Sequence, residues 1–182
     1  GGGTSENVLS LASAVVSNFN DAPTGSVTVT GTATQGGTLT AANTLADADG
    51  LGAFSYQWKA GGVNIDGATS STYTLTQAEV GKTVTASVSY TDGGGTLETV
   101  TSAATQAVVN VNDAPTGSVT VTGTATQAQT LTANTSALAD ADGLGGLSYQ
   151  WKAGGVNING ATSSTYTLTQ AEVGKTVTAT VS

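Results

Sequence analysis

Apolar and polar residues alternate in short runs along most of this chain, and the runs are cut by glycines and by Asn–Asp clusters. "SVTVTG", from Ser26, sets Val27 and Val29 on one face and Thr28 and Thr30 on the other. A period of two is that of a strand with one buried face. Similar runs follow: "TLTAANTLA" from Thr38, "FSYQWKA" from Phe54, "VNI" from Val63, "STYTLT" from Ser71, "TVTASVSYTD" from Thr83 and "LETVTSAATQAVVNV" from Leu97. Gly-Gly and Gly-Gly-Gly punctuate them, as tight turns between strands require. "TQAEVGK", from Thr76, has room for one helical turn before Gly81 and the Val-rich strand stop it. The pattern predicts about seven short strands per hundred residues and no long helix, an all-β fold of the two-sheet kind.

The pattern then repeats. "NDAPTGSVTVTGTATQ" begins at Asn20 and again at Asn112, an offset of 92 (112 − 20). "LADADGLG" begins at Leu45 and Leu138, "YQWKAGGVNI" at Tyr56 and Tyr149, and "GATSSTYTLTQAEVGKTVTA" at Gly67 and Gly160. A period of this length suits a small autonomous domain rather than a solenoid unit. Residues 1–23 also align without a gap on residues 93–115. The expected organisation is therefore 1–19 as the final strand of a preceding repeat, 20–111 as the first complete repeat, and 112–182 as a second repeat that stops before its final strand. Two arrangements give residues 1–19 a sheet to join. The chain is a window on a longer repetitive polypeptide, or each molecule donates this strand head to tail to the next and builds a filament.

Composition narrows the function. The net charge is −8, with four Lys and no Arg, which excludes a basic face for nucleic acid or anionic lipid. Only 9% of residues are charged and 38% are hydrophobic, so the chain can build a core and is not an acidic disordered tail. There is no Cys, His or Met. Disulfides, thiolate metal sites and the commonest general base are thereby absent, and no enzymatic activity is expected. Without Met, an internal segment of a longer protein is the expectation. No stretch reaches the length of a membrane span.

"YQW", a Gly-Gly turn, "STYTLT" and "EVGKTVTASVSY" resemble strands C to F of an immunoglobulin-like domain, with Trp58 and Trp151 as the buried strand-C tryptophans. With "NDAPTG" and "DADG", the whole chain resembles the tandem bacterial Ig-like and cadherin-like repeats of large surface adhesins, of the extender type found in RTX adhesins. The resemblance implies an extended array of β-sandwiches on a bacterial cell surface or in the extracellular space. Partners would be neighbouring copies of the same repeat, head to tail, with no nucleic acid and no membrane insertion.

It also implies calcium. In such a sandwich the loop carrying "DADG" and the linker carrying "NDAP" share one pole, so Asp140 and Asp142 face Asn110, Asn112 and Asp113, and Glu79 approaches from the preceding unit. The corresponding set at the first junction is Asn18, Asn20, Asp21, Asp47 and Asp49, with Asp92 added from the hairpin loop beside Asp47. Several carboxylates among hard oxygen donors are what Ca²⁺ takes. A carbohydrate-binding module is an alternative reading. It would need an exposed aromatic platform, for which Tyr90 and Phe19 are the free candidates.

Overall fold

A computed structural model describes residues 2–182. The chain divides into two compact units, Gly1–Asn110 and Val111–Ser182. Both are built of antiparallel strands, and helix is confined to single 3₁₀ turns at Gln77–Glu79 and Gln170–Glu172. Among the described residues no helix is long and apolar enough to cross a membrane.

The first unit has seven strands: β1 (Val27–Thr30), β2 (Thr38–Asn43), β3 (Ser55–Ala60), β4 (Val63–Asn64), β5 (Thr72–Thr74), β6 (Val84–Thr91) and β7 (Leu97–Thr101). They form a three-stranded sheet in the order β1-β2-β5 and a four-stranded sheet in the order β4-β3-β6-β7. Alternation decides which side chains meet. Leu39 and Ala41 of β2 are buried, and so are Trp58 and Ala60 of β3 and Val84 and Ala86 of β6, all in one cluster drawn from both sheets. The β3–β4 turn is Gly61–Gly62, with φ of 55° and 83°. Two successive positive φ values match the twist of a two-residue hairpin and favour glycine at both positions.

Trp58 is wholly buried, and its indole N–H donates to the carbonyl of Ser70 at 2.8 Å. Tyr73 lies over it at 6.1 Å between ring centroids, tilted by 33°. Trp151, also wholly buried, repeats this with Ser163 at 2.9 Å and Tyr166 at 6.0 Å. Truncating a buried aromatic of this kind costs about 3–5 kcal/mol. Neither indole is available to stack on a ligand.

The last apolar run departs from the single strand expected of it. β7 ends at Thr101, and the chain then follows β6 in three-residue steps. Ser102, Thr105 and Val108 donate their backbone N–H groups to the carbonyls of Ala86, Val84 and Lys82, each at 2.9 Å. In return, the Ala86 and Val84 N–H groups donate to the hydroxyl oxygens of Ser102 at 3.1 Å and Thr105 at 3.0 Å. Side-chain oxygens stand where a regular ladder would place carbonyls, which keeps β6 satisfied. The segment ends with Val108 buried in the core, bridged to Val80, and with Val109 bridged to Thr34.

The second unit has β8 (Thr120–Thr122), β9 (Thr130–Asn134), β10 (Tyr149–Ala153), β11 (Val156–Asn157), β12 (Thr165–Thr167) and β13 (Val177–Val181), in sheets ordered β12-β9-β8 and β11-β10-β13. Residues 2–19 carry no regular secondary structure here, and Val8, Leu9, Leu11, Val15, Val16 and Phe19 are all exposed.

Each 3₁₀ turn carries a reciprocal cap written in the sequence as Thr-x-x-Glu. In the second unit Glu172 accepts from the Thr169 N–H and hydroxyl, both at 2.8 Å. The Thr169 backbone bond, followed by its hydroxyl, holds the Glu172 carboxyl below its ordinary value. A lowered folded value means the cap stabilises above the ordinary glutamate range, near 4.3, and fades as pH falls through the lowered value. Glu172→Gln should therefore destabilise the second unit at pH 7, and the gap should close at strongly acid pH. Urea midpoints of parent and variant across pH check this.

Candidate metal centre

The loop between β2 and β3 is shaped by its own carboxylates. Asp47 Oδ1 accepts the Asp49 N–H at 2.9 Å and the Asp47 carbonyl accepts the Gly50 N–H at 3.1 Å. This is an aspartate turn, in which the side chain supplies a local acceptor. The β6–β7 hairpin turns the same way: Asp92 donates its N–H to the Thr96 carbonyl at 2.9 Å, and Asp92 Oδ1 accepts the Thr96 N–H at 2.7 Å. Loop and hairpin then meet backbone to backbone, with the Gly93 N–H donating to the Asp49 carbonyl at 3.0 Å. A Cβ on Gly93 would fall 2.4 Å from that carbonyl oxygen, and one on Gly52 would fall 2.1 Å from the Thr91 carbonyl oxygen. Only glycine permits the approach.

The approach gathers three acids. One carboxylate oxygen each from Asp47, Asp92 and Glu98 lie within 4.8 Å of one another. Tyr90 lies beneath them, 1% exposed, donating its hydroxyl to Asp47 Oδ2 at 2.6 Å. Burial, followed by the bond to Asp47, pushes the phenol above its ordinary value. Phe54 meets Tyr90 edge-on at 5.7 Å and 90°. Asp92 is 6% exposed, and its Oδ2 is buried without a hydrogen-bond partner.

The segment leading into the first unit is fastened to the same pole. Asp49 Oδ1 accepts from the Asn18 side-chain amide, and Asp49 Oδ2 accepts the Asp21 N–H at 2.7 Å. The Asp21 backbone bond, with the Asn18 amide second, holds the Asp49 carboxyl below the usual aspartate range. The Asn20 side chain donates to Glu98 Oε1 at 3.0 Å. The second unit repeats the core of this device. The Asp113 N–H donates to Asp142 Oδ2 at 2.7 Å, the Asp142 N–H to Asp140 Oδ1 at 2.9 Å, and the Asn112 side chain to the Asp113 carbonyl at 2.9 Å. So "NDAP" and "DADG", separated by more than twenty residues, are joined inside each unit by the same backbone-to-carboxylate bond.

The sequence-predicted residues thus fall into groups. Asp47, Asp49, Asp92, Asn18, Asn20 and Asp21 come together at one pole of the first unit. Asn112, Asp113, Asp140 and Asp142 come together in the second, where no third carboxylate oxygen comes within the same 4.8 Å among the described residues. Asn110 is exposed at the end of the first unit. Glu79 is 4% exposed and serves its own turn, with Oε2 accepting the Thr76 N–H at 2.9 Å and the Thr76 hydroxyl at 2.8 Å. The aromatic platform required of a carbohydrate module loses Tyr90, which is part of the core, and keeps Phe19, which is 89% exposed.

Sequence reasoning missed Glu98. Two signals pointed to it. Pairing back from the glycine turn sets Glu98 directly across from Tyr90. Glu6 also matches Glu98 in the aligned stretch where the residues beside it, Ser5 against Leu97 and Asn7 against Thr99, differ.

No protein-family model matches this chain, and no curated protein matches it. The reading of the site rests on its geometry.

Asp49→Ala removes the acceptors of the Asn18 side-chain amide and of the Asp21 N–H. The Asp21 amide should then exchange with solvent faster, while the Trp58 indole N–H keeps its protection. Hydrogen exchange followed by NMR checks both at once.

Proposed function

We propose that this chain is a structural repeat segment of a long extracellular protein of the bacterial cell surface. On this reading it is an array of immunoglobulin-like sandwiches whose work is to span distance. Calcium stiffens the places where one repeat follows another. One observation carries the reading: the fastening of "NDAP" to "DADG" is built twice, by Asp21 on Asp49 and by Asp113 on Asp142. A device that fixes the incoming chain to each unit in turn is what an extended array needs. The sheet orders and shared core of the first unit, with Trp58 against Tyr73, support an immunoglobulin-like sandwich. Within the second unit the side chains gathered at Asp113 are Asn112, Asp140 and Asp142, which offer carboxylate and amide oxygens of the kind a hard cation takes. Calcium there would neutralise carboxylates that otherwise repel. The chain has no His or Cys, the commonest general base and the most reactive thiol nucleophile, and the reading includes no enzymatic step.

A specific observation favours a second activity, strand complementation. The second unit carries an open groove of about 750 Å³ lined by Val121, Ala125, Leu131, Leu168, Val173 and Val177. The matching residues of the first unit, among them Ala33, Leu39, Leu75, Val80 and Val84, pack in the cluster that buries Val108. Residues 4–17, exposed here, align without a gap on residues 96–109, with Val16 in the place of Val108. On this reading the groove takes such a strand, and a second copy of the chain can supply it.

Two experiments test these readings. Small-angle scattering of the chain should show a narrower, longer distance distribution in calcium than in chelator, and the double variant Asp140→Asn, Asp142→Asn should lose the difference. Identical profiles would sink the junction role. For the groove, a synthetic peptide of residues 93–109 added to the chain should bind saturably and raise the melting temperature of the second unit. A peptide with Val108→Asp should do neither, and equal behaviour of the two peptides would defeat the complementation reading.

A further inference from the structure

We propose, resting on the complementation reading above, that residues 8–17 of a second copy of this chain fill the groove of the second unit. They lie along β13 in the three-residue steps that Ser102, Thr105 and Val108 take along β6. The likeness between residues 5–17 and 97–109 is not spread evenly. Within 97–109 the first unit buries or half-buries Glu98, Val100, Ser102, Thr105 and Val108. Glu6, Val8, Ser10 and Val16 repeat four of these unchanged, and Ser13 stands for Thr105 and keeps its hydroxyl. Every other difference between the two stretches falls where the first unit is exposed, as at Thr101 against Leu9, Ala107 against Val15 and Val109 against Ser17. The face that docks is retained, and the face turned to solvent has changed.

The acceptor offers what that face needs. β13 is the edge strand of its sheet, paired with β10 on one side, and an open edge presents free backbone groups to another strand. In the first unit the docked segment is also clasped at its end. The Gly81 N–H donates to the Val108 carbonyl and the Gln35 N–H to the Val109 carbonyl, each at 2.9 Å. Their matches, Gly174 and Gln127, line the groove, and neither backbone N–H donates to another backbone group among the described residues.

The repeat aligns β6 with β13, Val84 against Val177, and so fixes the register. The N–H groups of the donor's Ser10, Ser13 and Val16 meet the carbonyls of Ala179, Val177 and Lys175. The Ala179 and Val177 N–H groups donate in return to the two serine hydroxyls, which is the exchange seen at Ala86 and Val84. Val16 is 89% exposed in the free chain and its match Val108 is 3% exposed, so its entry beside Leu131, Leu168 and Val173 removes apolar surface from water. Pairing at the edge adds a strand to the sheet. Donor and acceptor surfaces differ, so the contact is heterologous and repeats from copy to copy without closing.

The test uses the whole 182-residue chain, which has no Cys, so an introduced disulfide can report the register. Thr101 lies opposite Ser87 with their hydroxyl oxygens 2.8 Å apart, and the matching pair is Leu9 of the donor and Thr180 of the acceptor. A chain carrying Leu9→Cys and Thr180→Cys should form disulfide-linked multimers, with peptide mapping placing the bond between positions 9 and 180. Leu9→Cys with Thr178→Cys should form few, because an offset of two residues takes the Cα atoms beyond the span of a disulfide. In sedimentation the parent's average mass should rise with concentration from 17.6 kDa, and Val16→Asp should hold it at the monomer. Val16 is exposed in the free chain, so this variant should melt as the parent monomer does. If a synthetic peptide of residues 93–109 binds but the chain stays monomeric and forms no 9–180 bond between molecules, the groove reading stands and this donor is wrong. A 9–180 bond within one molecule, or association that Val16→Asp leaves unchanged, also overturns the donor. If neither the peptide nor a second copy binds, both readings fall.

Discussion

Strand β6 has two edges, and the first unit is organised by the need to satisfy both. β3 runs along one edge, from Ser55 opposite Ser89 to Ala60 opposite Val84. β7 takes only half of the other, from Leu97 opposite Thr91 to Thr101 opposite Ser87. The remaining half is met by the three-residue steps of Ser102, Thr105 and Val108. An edge left bare would present unpaired N–H and C=O groups to any passing chain. The same segment that closes the edge also closes the core, because Val108 is delivered into the cluster around Trp58. Backbone satisfaction and apolar burial are here one event, carried by residues 102–109.

The two near-identical sequences show what that segment does. Val84, Ala86 and Val88 of β6 are all fully buried, whereas their matches Val177, Ala179 and Val181 in β13 are only half-buried. Val80 is half-buried and its match Val173 is 56% exposed. Yet the indole of Trp151 is as buried as that of Trp58, and its bonds to neighbouring backbone are the same. The inner layer around the tryptophan, contributed by β9, β10 and β12, therefore forms without the covering segment. Apolar area near the edge does not stay buried without it. Seven strands in two sheets are built around a centre that is local in sequence, and a late segment decides how much of the outer core is sealed.

Much of this was legible in the pattern of residues. Strict alternation in "SVTVTG" and the Gly-Gly turn after "YQWKA" fix strands and a hairpin by geometry alone. Thr-x-x-Glu fixes the 3₁₀ turns through capping. The run from Ser102 to Val109 was not legible as anything but strand, because its apolar content is right and its departure lies in where Ser102 and Thr105 place their hydroxyls. That depends on which partner β6 offers, which is tertiary information. The acidic pole divides in the same manner. Asp47, Asp49 and Asp92 announce themselves as turn residues, and their shared pole followed from the expected order of strands. Glu98 sits inside a strand among threonines, where a charged residue reads as a solvent-facing position. Only the cross-strand register with Tyr90 turns it toward the acids.

The placement of the carboxylates also answers why a chain with so few charges keeps its acids close together. Of the acids in the first unit, Glu79 is used to cap a turn and Asp49 to hold the incoming segment by its backbone. Both arrangements satisfy carboxylate lone pairs with neutral N–H and O–H donors of the adjoining backbone and side chains. Asp47, Asp92 and Glu98 are different, because their donors leave an oxygen of Asp92 unsatisfied and three like charges side by side. Packing does not require this arrangement. A Ser or Asn at position 92 could accept the Thr96 N–H, and Tyr90 could donate to a carbonyl. Turn chemistry explains why Asp47 and Asp92 are polar and short. It does not explain why they are charged, buried and opposite a glutamate, and the negative charge itself is what the geometry preserves.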